Sequence, residues 1–141
     1  MILLDTNVVS EPLKLTGDVG VLNWIDAQIV ETLYLSAISL AELRFGIAAL
    51  PPGKRRETLH TSFEQRILPL FVGRILPFDA ATSEAYALLR ARARVEGKAI
   101  APTDGYIAAT ATTHGLIVAT RDTGPFEAAG LTVINPWIAR L

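Results

Sequence analysis

The sequence predicts an α/β fold in which a central parallel sheet carries helices on both faces. Short apolar runs alternate along the chain with longer segments whose apolar residues recur at helical spacing, and this alternation is typical of βαβ units. The short runs lack the polar–apolar alternation of a strand with one solvated face, which indicates strands that are buried on both sides. No repeat or linker interrupts the pattern, so we expect one domain over residues 1–141.

Five apolar segments are candidate strands because they are short, rich in Leu, Ile and Val, and bounded by turns or helix caps. In chain order they are Ile2–Asp5, Leu33–Ser36, Arg74–Leu76, Leu116–Ala119 and Leu131–Ile134. We therefore expect a sheet of four to five strands.

Helices are predicted between these strands from the spacing of apolar residues. Their expected ranges are Asp18–Gln28, Ser39–Leu50, Lys54–Phe71, Ala80–Glu96 and Thr103–His114. Residues 51–53, Pro-Pro-Gly, separate the second helix from the third. Gly97 and Gly115 stand where a left-handed residue would end the last two helices.

The composition excludes several classes of function. Half of the 141 residues are apolar and 19% are charged, which excludes a disordered chain, and the net charge of −1 gives no general attraction to nucleic acid. A nucleic-acid substrate would need a local basic patch or a metal ion. The absence of cysteine excludes disulfides and thiolate metal sites. With no membrane-length apolar run and no secretory pattern, we expect a soluble cytoplasmic protein without membrane contact.

Four acids lie in apolar company at the ends of predicted elements. Asp5 follows the first strand, Asp122 follows the strand at 116–119, Glu42 falls in the first turn of the helix after the second strand, and Asp104 opens a helix. Ligands of parallel α/β sheets bind outside the carboxyl ends of the strands. We therefore expect all four acids on one rim of the sheet.

Crowded carboxylates repel one another and raise each other's pKa, and a divalent cation relieves that repulsion. Mg²⁺ and Mn²⁺ prefer carboxylate and water oxygens, and such an ion activates water and stabilises charge on a phosphoryl oxygen. The pattern indicates phosphodiester hydrolysis, with Asp5 and Asp104 as principal metal ligands and Glu42 and Asp122 completing the set directly or through waters. The adjoining Thr6, Asn7 and Thr120 would hydrogen-bond the carboxylates or water.

Each acid also has a purely structural alternative. Ser39-x-x-Glu42 has the spacing of a capping box, Asp104 at a helix start is favoured by the helix dipole, and Asp122 is a common turn former. Asp5 is the hardest to explain in this way, because a lone charge beside a central strand is unfavourable unless it is paired. Coincidence of all four on one rim favours a shared role.

The ten other acids fall where solvated helix faces, turns or caps are expected, with Asp79 as a helix cap. The remaining nine are Glu11, Asp18, Asp26, Glu31, Glu57, Glu64, Glu84, Glu96 and Glu127.

Four motifs in order resemble PIN-domain ribonucleases, specifically the VapC-type toxins of type II toxin–antitoxin systems. They are LLDTN at 3–7, SAISLAELRFG at 36–46, DGYIAAT at 104–110, and ATRD at 119–122 followed by Phe126. The ending Asn135-Pro136-Trp137 is similar to that of the FitB-like subgroup. The resemblance covers essentially the whole chain.

The resemblance implies a three-layer α/β/α PIN-like fold and an acidic pocket that binds Mg²⁺ or Mn²⁺ for endoribonuclease activity. Asp5, Glu42 and Asp104 match the three most dependable acids of the family, Asp122 matches a fourth position, and Thr120 matches a hydroxyl beside it.

One residue departs from the family pattern, because Pro125 stands where many relatives carry a fifth acid. The resemblance also implies a homodimer, an RNA substrate such as tRNA, and a small cognate antitoxin that covers the active site. The basic run 54–56 is a candidate for RNA phosphate contacts, although solvated helix faces more often carry such charges. A second basic cluster could likewise contact RNA phosphates or form a solvated helix face. It comprises Arg90, Arg92, Arg94 and Lys98.

Two other functions fit parts of the pattern. An aspartyl phosphotransferase or phosphatase would use Asp5 as its nucleophile, but it usually needs a second acid where this chain has Asn7. A catalytically silent PIN-fold module would use the acidic pocket only to bind a basic partner. RNA cleavage with Mg²⁺ separates these alternatives.

Overall fold

The computed structural model describes residues 1–139, and its centre is a parallel five-stranded sheet. The strands are β1 (Ile2–Leu4), β2 (Leu33–Ser36), β3 (Ile75–Leu76), β4 (Ile117–Ala119) and β5 (Val133–Ile134). They lie in the order β3-β2-β1-β4-β5, and every neighbouring pair is parallel. The predicted α/β fold with a parallel sheet is confirmed, and the sheet has five strands, the larger of the two expected numbers.

Helices fill the connections between the strands. They are α1 (Thr6–Ser10), α2 (Val19–Asp26), α3 (Ala37–Ala48), α4 (Lys54–Ser62), α5 (Ala80–Val95), α6 (Pro102–His114) and α7 (Thr123–Ala128). Short 3₁₀ segments lie at Glu11–Leu13, Val30–Thr32 and Leu68–Phe71, and a π-helical segment lies at Phe63–Ile67. Over residues 1–139, none of the helices combines the length and apolar character that crossing a bilayer requires.

Two separate apolar cores cover the two faces of the sheet. Successive side chains of a strand point to opposite faces, so Leu4 packs into one core and Leu3 into the other. The first core takes Trp24 from α2 and Leu43 from α3. The second core contains Ile107 from α6 together with residues of α5 and α7. This arrangement gives the three layers, helices–sheet–helices, that the resemblance implied.

The prediction of one helix over Lys54–Phe71 was wrong in its second half. The α-helix ends at Ser62, and the chain continues as a π turn in which Leu68 N–H bonds Phe63 O. Pro69 explains the change, because proline has no N–H and its ring clashes with the carbonyl four residues earlier. The backbone therefore widens before Pro69 and then tightens into the 3₁₀ segment.

The capping alternative for Glu42 was also wrong. Helix α3 starts at Ala37 rather than Ser39, and its cap is Ser36, whose hydroxyl oxygen accepts the Ser39 N–H at 3.0 Å. Glu42 consequently lies in the second turn of α3, one turn later than expected, and its carboxylate is available for another partner.

Other expected helix ends were correct. Asp79 caps α5 by accepting the Thr82 N–H at 3.0 Å. Gly97 and Gly115 have φ values of 74° and 65°, the left-handed conformation that ends α5 and α6. The short helices α1 and α7 were not predicted, because neither is long enough to show an apolar period.

The expectation that Glu11 lies on a solvated face was wrong. Glu11 is only 4% exposed, and its carboxylate accepts the Asp18 N–H at 2.9 Å and pairs with the Lys14 ammonium at 3.0 Å. Burial opposes its ionisation, but these two partners outweigh that effect and hold the pKa of Glu11 below its ordinary value. Glu11 therefore organises the chain between α1 and α2.

Candidate active site

The strand order creates a crevice where β1 meets β4. The connections wind outward from β1 through β2 to β3, and then return to the other side of β1 at β4. Open parallel sheets bind ligands at such a reversal, outside the carboxyl ends of the strands. Leu4 pairs with Ala119 in register, and the Asp5 N–H donates to Ala119 O at 2.9 Å. Asp5 and Thr120 are therefore side by side at the mouth of this crevice.

Asp5 is the most buried of the four candidate acids, with 6% of its surface exposed. Its Oδ1 accepts the Thr6 N–H at 2.8 Å, which caps α1, and its Oδ2 accepts the Thr120 hydroxyl at 2.8 Å. Burial raises the pKa of Asp5 to about 6; the two hydrogen bonds lower it, and the charges of Asp104 and Glu42 add to the rise. The two hydrogen bonds therefore hold the carboxylate at a position where burial and the neighbouring charges disfavour its ionised form.

Thr120 joins three segments around this carboxylate. Its side chain is fully buried, and its hydroxyl oxygen accepts the Asp122 N–H at 3.0 Å. The Asn7 amide nitrogen lies 3.4 Å from the same oxygen, and the Asn7 amide oxygen accepts the Arg121 N–H at 3.3 Å. The ends of β1 and β4 are thus tied together by side chains as well as by backbone.

Glu42 is held from the start of α1. The Thr6 hydroxyl donates to Glu42 Oε1 at 2.6 Å and lies 3.0 Å from the buried Ser39 hydroxyl. Sequence reasoning missed this role of Ser39, because its spacing to Glu42 was interpreted only as a capping box. Thr6 therefore bonds Glu42 through its side chain and Asp5 through its backbone.

Asp104 and Asp122 belong to the site through helix α6 and the turn before α7. Asp104 lies in the first turn of α6, partly buried, and Asp122 precedes α7 with its side chain exposed. Burial raises the pKa of Asp104, and the charges of Asp122 and Glu42 raise it further. The four acids therefore share one electrostatic environment, although they come from four different parts of the chain.

The chemistry of these side chains suits a hard divalent cation, because all of their donor atoms are oxygens. A positive charge would also offset the burial and the charge repulsion that raise the pKa of Asp5 and Asp104. Over residues 1–139, no three His, Cys, Asp or Glu side chains are close enough to hold a metal ion together. Direct coordination of one ion by Asp5, Glu42, Asp104 and Asp122 would therefore require these side chains to move closer together, whereas coordination of some of them through waters would not. Their assignment as ligands, and that of Thr6, Asn7 and Thr120 as supporting residues, stays a prediction.

Comparison with known proteins decides the family. The family model described as "PIN domain" matches residues 2–131, which is nearly the whole chain. The chain belongs to the PIN-domain family. This PIN domain is 61% identical to the VapC ribonuclease Y4jK of Sinorhizobium fredii over 97% of its own length and 98% of that protein. It is 58% identical to the toxin FitB of Neisseria gonorrhoeae over 97% of its length and 99% of that protein.

A solved structure agrees closely with this PIN domain. The crystal structure of FitAcB from Neisseria gonorrhoeae superposes with a TM-score of 0.96 at 57% identity, covering 99% of this chain and 100% of that one. The predicted resemblance to VapC-type toxins, and to the FitB-like subgroup among them, is confirmed. The match also includes the α/β/α layers described above.

Proposed function

We propose that this PIN domain is the toxin of a type II toxin–antitoxin pair and acts as a metal-dependent endoribonuclease that hydrolyses RNA phosphodiester bonds. The similarity to a VapC ribonuclease and to the toxin FitB supports the class of activity. The observation that carries the proposal is the environment of Asp5, a buried carboxylate whose pKa is raised to about 6 among neighbouring acids at the crevice of the sheet. An acid whose pKa is raised by burial and by neighbouring carboxylates is a candidate functional residue.

The divalent cation is Mg²⁺ or Mn²⁺ in this proposal, with Asp5 and Asp104 as its principal ligands and Glu42 and Asp122 completing the set. When bound, the cation supplies an activated water and stabilises negative charge on the phosphate. Pro125 lies in α7 at the position where a fifth acid would stand, so this chain has four acids for the purpose.

The protein supplies orientation in this proposal. Thr120 and the Thr6 N–H fix both oxygens of Asp5, and the Thr6 hydroxyl fixes Glu42. Mutation of a residue that hydrogen-bonds a metal ligand commonly lowers metal affinity or activity by about tenfold to a hundredfold. Asn7 supports the same arrangement through Thr120 and Arg121.

The partners belong to the same proposal. The substrate is RNA, with tRNA as one candidate, and the toxin acts as a homodimer in the cytoplasm. A cognate antitoxin would cover the site from an apolar groove that lies between α1, with the 3₁₀ segment after it, and helices α3 and α4. The groove has Thr6 and Glu42 at its polar side, and its apolar lining is Leu13, Leu43, Ile47, Leu50 and Leu59.

The decisive experiment is cleavage of structured RNA by the purified protein, freed of any antitoxin. We expect cleavage with Mg²⁺ or Mn²⁺, no cleavage in EDTA, and loss of cleavage in Asp5→Asn. The matched control is Asp26→Asn, which removes an exposed carboxylate at the end of α2 and should leave cleavage unchanged.

Two results would contradict the proposal. RNAs that stay intact across the divalent metals would indicate a silent module that only binds a partner. Hydrolysis of a phosphate monoester without RNA cleavage would instead indicate phosphotransferase chemistry at Asp5.

A further inference from the structure

We propose that a basic cleft at the junction of α5 and α6 binds the phosphodiester backbone of RNA beside the active site. This inference rests on the proposed ribonuclease function and adds a substrate-binding surface to it. The basic cleft has a volume of about 720 Å³. Its cationic lining is Arg90, Arg94 and Lys98, and the lining also includes Gly97, Ala99 and Ile100.

Arg90 is held in a fixed orientation on the wall of the cleft. Its Nε donates to Ile100 O at 3.2 Å, and its Nη1 donates to the Tyr86 hydroxyl at 2.8 Å. The guanidinium carbon also lies 5.4 Å from the centre of the Tyr86 ring, within the range of a cation–π contact. A guanidinium has five N–H donors, so donors remain for a phosphate.

The cations of the cleft are not neutralised by neighbouring acids. Among residues 1–139, neither Arg90 nor Arg94 has a carboxylate oxygen within ion-pair distance, and Lys98 meets only the exposed Glu96 at 3.6 Å. An exposed pair of that length contributes little and is readily exchanged. Within the described residues, the cleft therefore presents three cations whose charge is not neutralised by a strong acidic partner.

The wall of the cleft packs against the helix turn that carries Asp104. Gly105 directly follows Asp104, and a Cβ at Gly105 would lie 2.9 Å from Tyr86 Cε2 and 3.1 Å from Arg90 Cδ. Tyr86 in turn stacks on Tyr106 of the same helix as Gly105, with ring centres 4.7 Å apart. The wall that carries Arg90 is thus packed directly against the first turn of α6, which carries Asp104.

Electrostatics explains why a nuclease of this charge would need such a cleft. The four acids of the site repel a phosphate backbone, and the net charge of −1 supplies no general attraction. Phosphate contacts by Lys and Arg supply most of the non-specific affinity for nucleic acid. Cations beside Asp104 would hold the strand next to the acidic centre.

The test compares two exposed arginines in the last turn of α5. Arg94 lines the cleft, whereas Arg92 does not, and both stand where a helix end favours a cation. We expect Arg94→Gln to raise KM for RNA about threefold, and Arg94→Gln with Lys98→Gln to raise it about tenfold, with kcat unchanged in both. The slope of log affinity against log salt should fall by about 0.7 for each phosphate that the variant no longer neutralises. Arg92→Gln should change neither quantity.

Binding is also measured in the Asp5→Asn background, by fluorescence anisotropy of a labelled single-stranded RNA without cleavage. Weaker binding of the Arg94→Gln, Lys98→Gln protein, with an unchanged melting temperature, supports the cleft even if the parent protein cuts no RNA. In that case the ribonuclease proposal fails alone. Unchanged RNA affinity and salt slope would overturn the cleft proposal, as would a loss of affinity confined to an acidic polyglutamate peptide.

Discussion

The Thr120 hydroxyl donates a 2.8 Å hydrogen bond to Asp5 Oδ2, joining two residues that are 115 positions apart in the chain. The bond exists because β1 and β4 are parallel neighbours in register, so that the residues following Leu4 and Ala119 lie side by side. It opposes the effect of burial, which is the main reason that the pKa of Asp5 is raised to about 6.

Loss of the Thr120 hydroxyl should raise the pKa of Asp5 further. Thr120→Val keeps the shape of the side chain but removes the donor that favours the ionised carboxylate. The pKa can be measured by carboxyl-carbon NMR titration of the protein in EDTA. In the metal-loaded enzyme we expect cleavage to fall about tenfold to a hundredfold.

Thr120→Ser is the matched control, because it retains the hydroxyl. Its Asp5 pKa and cleavage rate should stay close to those of the parent protein. An unchanged or lowered pKa in Thr120→Val would show that the bond does not stabilise the carboxylate.

Asp5→Asn should stabilise the metal-free protein while abolishing cleavage. The folded-state pKa of about 6 lies above the ordinary value of 3.8, so the folded state binds a proton more tightly than the unfolded state. The contribution of the protonated Asp5 side chain to the free energy of unfolding is fully present below about pH 4 and is lost as the pH rises through about 6. At pH 8 we expect Asn to raise the free energy of unfolding by about 3 kcal/mol, with little effect at pH 4.

Urea unfolding in EDTA at both pH values measures this difference. A variant that is destabilised at pH 8, or equally stabilised at both pH values, would show that the buried charge is not the cause.

Gly105→Ala should destabilise the protein although alanine favours helices. The new Cβ would lie 2.9 Å from Tyr86 Cε2, and that ring is already confined by Tyr106 and Phe78. Overpacking of this kind lowers the free energy of unfolding by about 1–3 kcal/mol. After a gain of about 1 kcal/mol in helix propensity, we expect a net loss of up to about 2 kcal/mol.

Gly46→Ala provides the contrast in the same measurement of thermal unfolding. Gly46 lies in α3, and a Cβ there meets no atom within 4 Å, so we expect a rise of about 0.5–1 kcal/mol in the free energy of unfolding. The prediction fails if both variants move the melting temperature in the same direction.

Glu11→Ala should lower the free energy of unfolding by about 2 kcal/mol, because the Asp18 N–H loses its acceptor and the Lys14 ammonium loses its partner. Glu11→Gln should be milder, since an amide oxygen still accepts from Asp18. Replacing the exposed Glu31 by alanine should change the value by less than about 0.5 kcal/mol. Equal effects of Glu11→Ala and Glu31→Ala in chemical denaturation would contradict a structural role for Glu11.

The order of residues was enough to predict the class of fold and the positions of Asp5, Asp104 and Asp122 relative to their strands and helices, whereas Glu42 lies one turn later in α3 than predicted. The buried strands appear as unbroken apolar runs such as Ile2–Leu4, and the cap at Asp79 follows from local hydrogen bonding, because both depend on nearby residues. The placement of Asp5 just beyond a buried strand likewise needed only the order of residues and indicated a functional carboxylate.

Tertiary structure alone decided which groups meet. The pairing of β1 with β4, which brings Thr120 to Asp5, joins distant segments and leaves no local pattern. Glu42 accepts a hydrogen bond from the Thr6 hydroxyl, and not from the Ser39 N–H, because α3 starts two residues earlier than its apolar spacing indicated. Glu11 is buried because the loop after α1 folds back over it, and no local preference for a solvated acid reports that contact. Periodicity records the face that an element buries, whereas the partner of a polar side chain depends on how the elements pack.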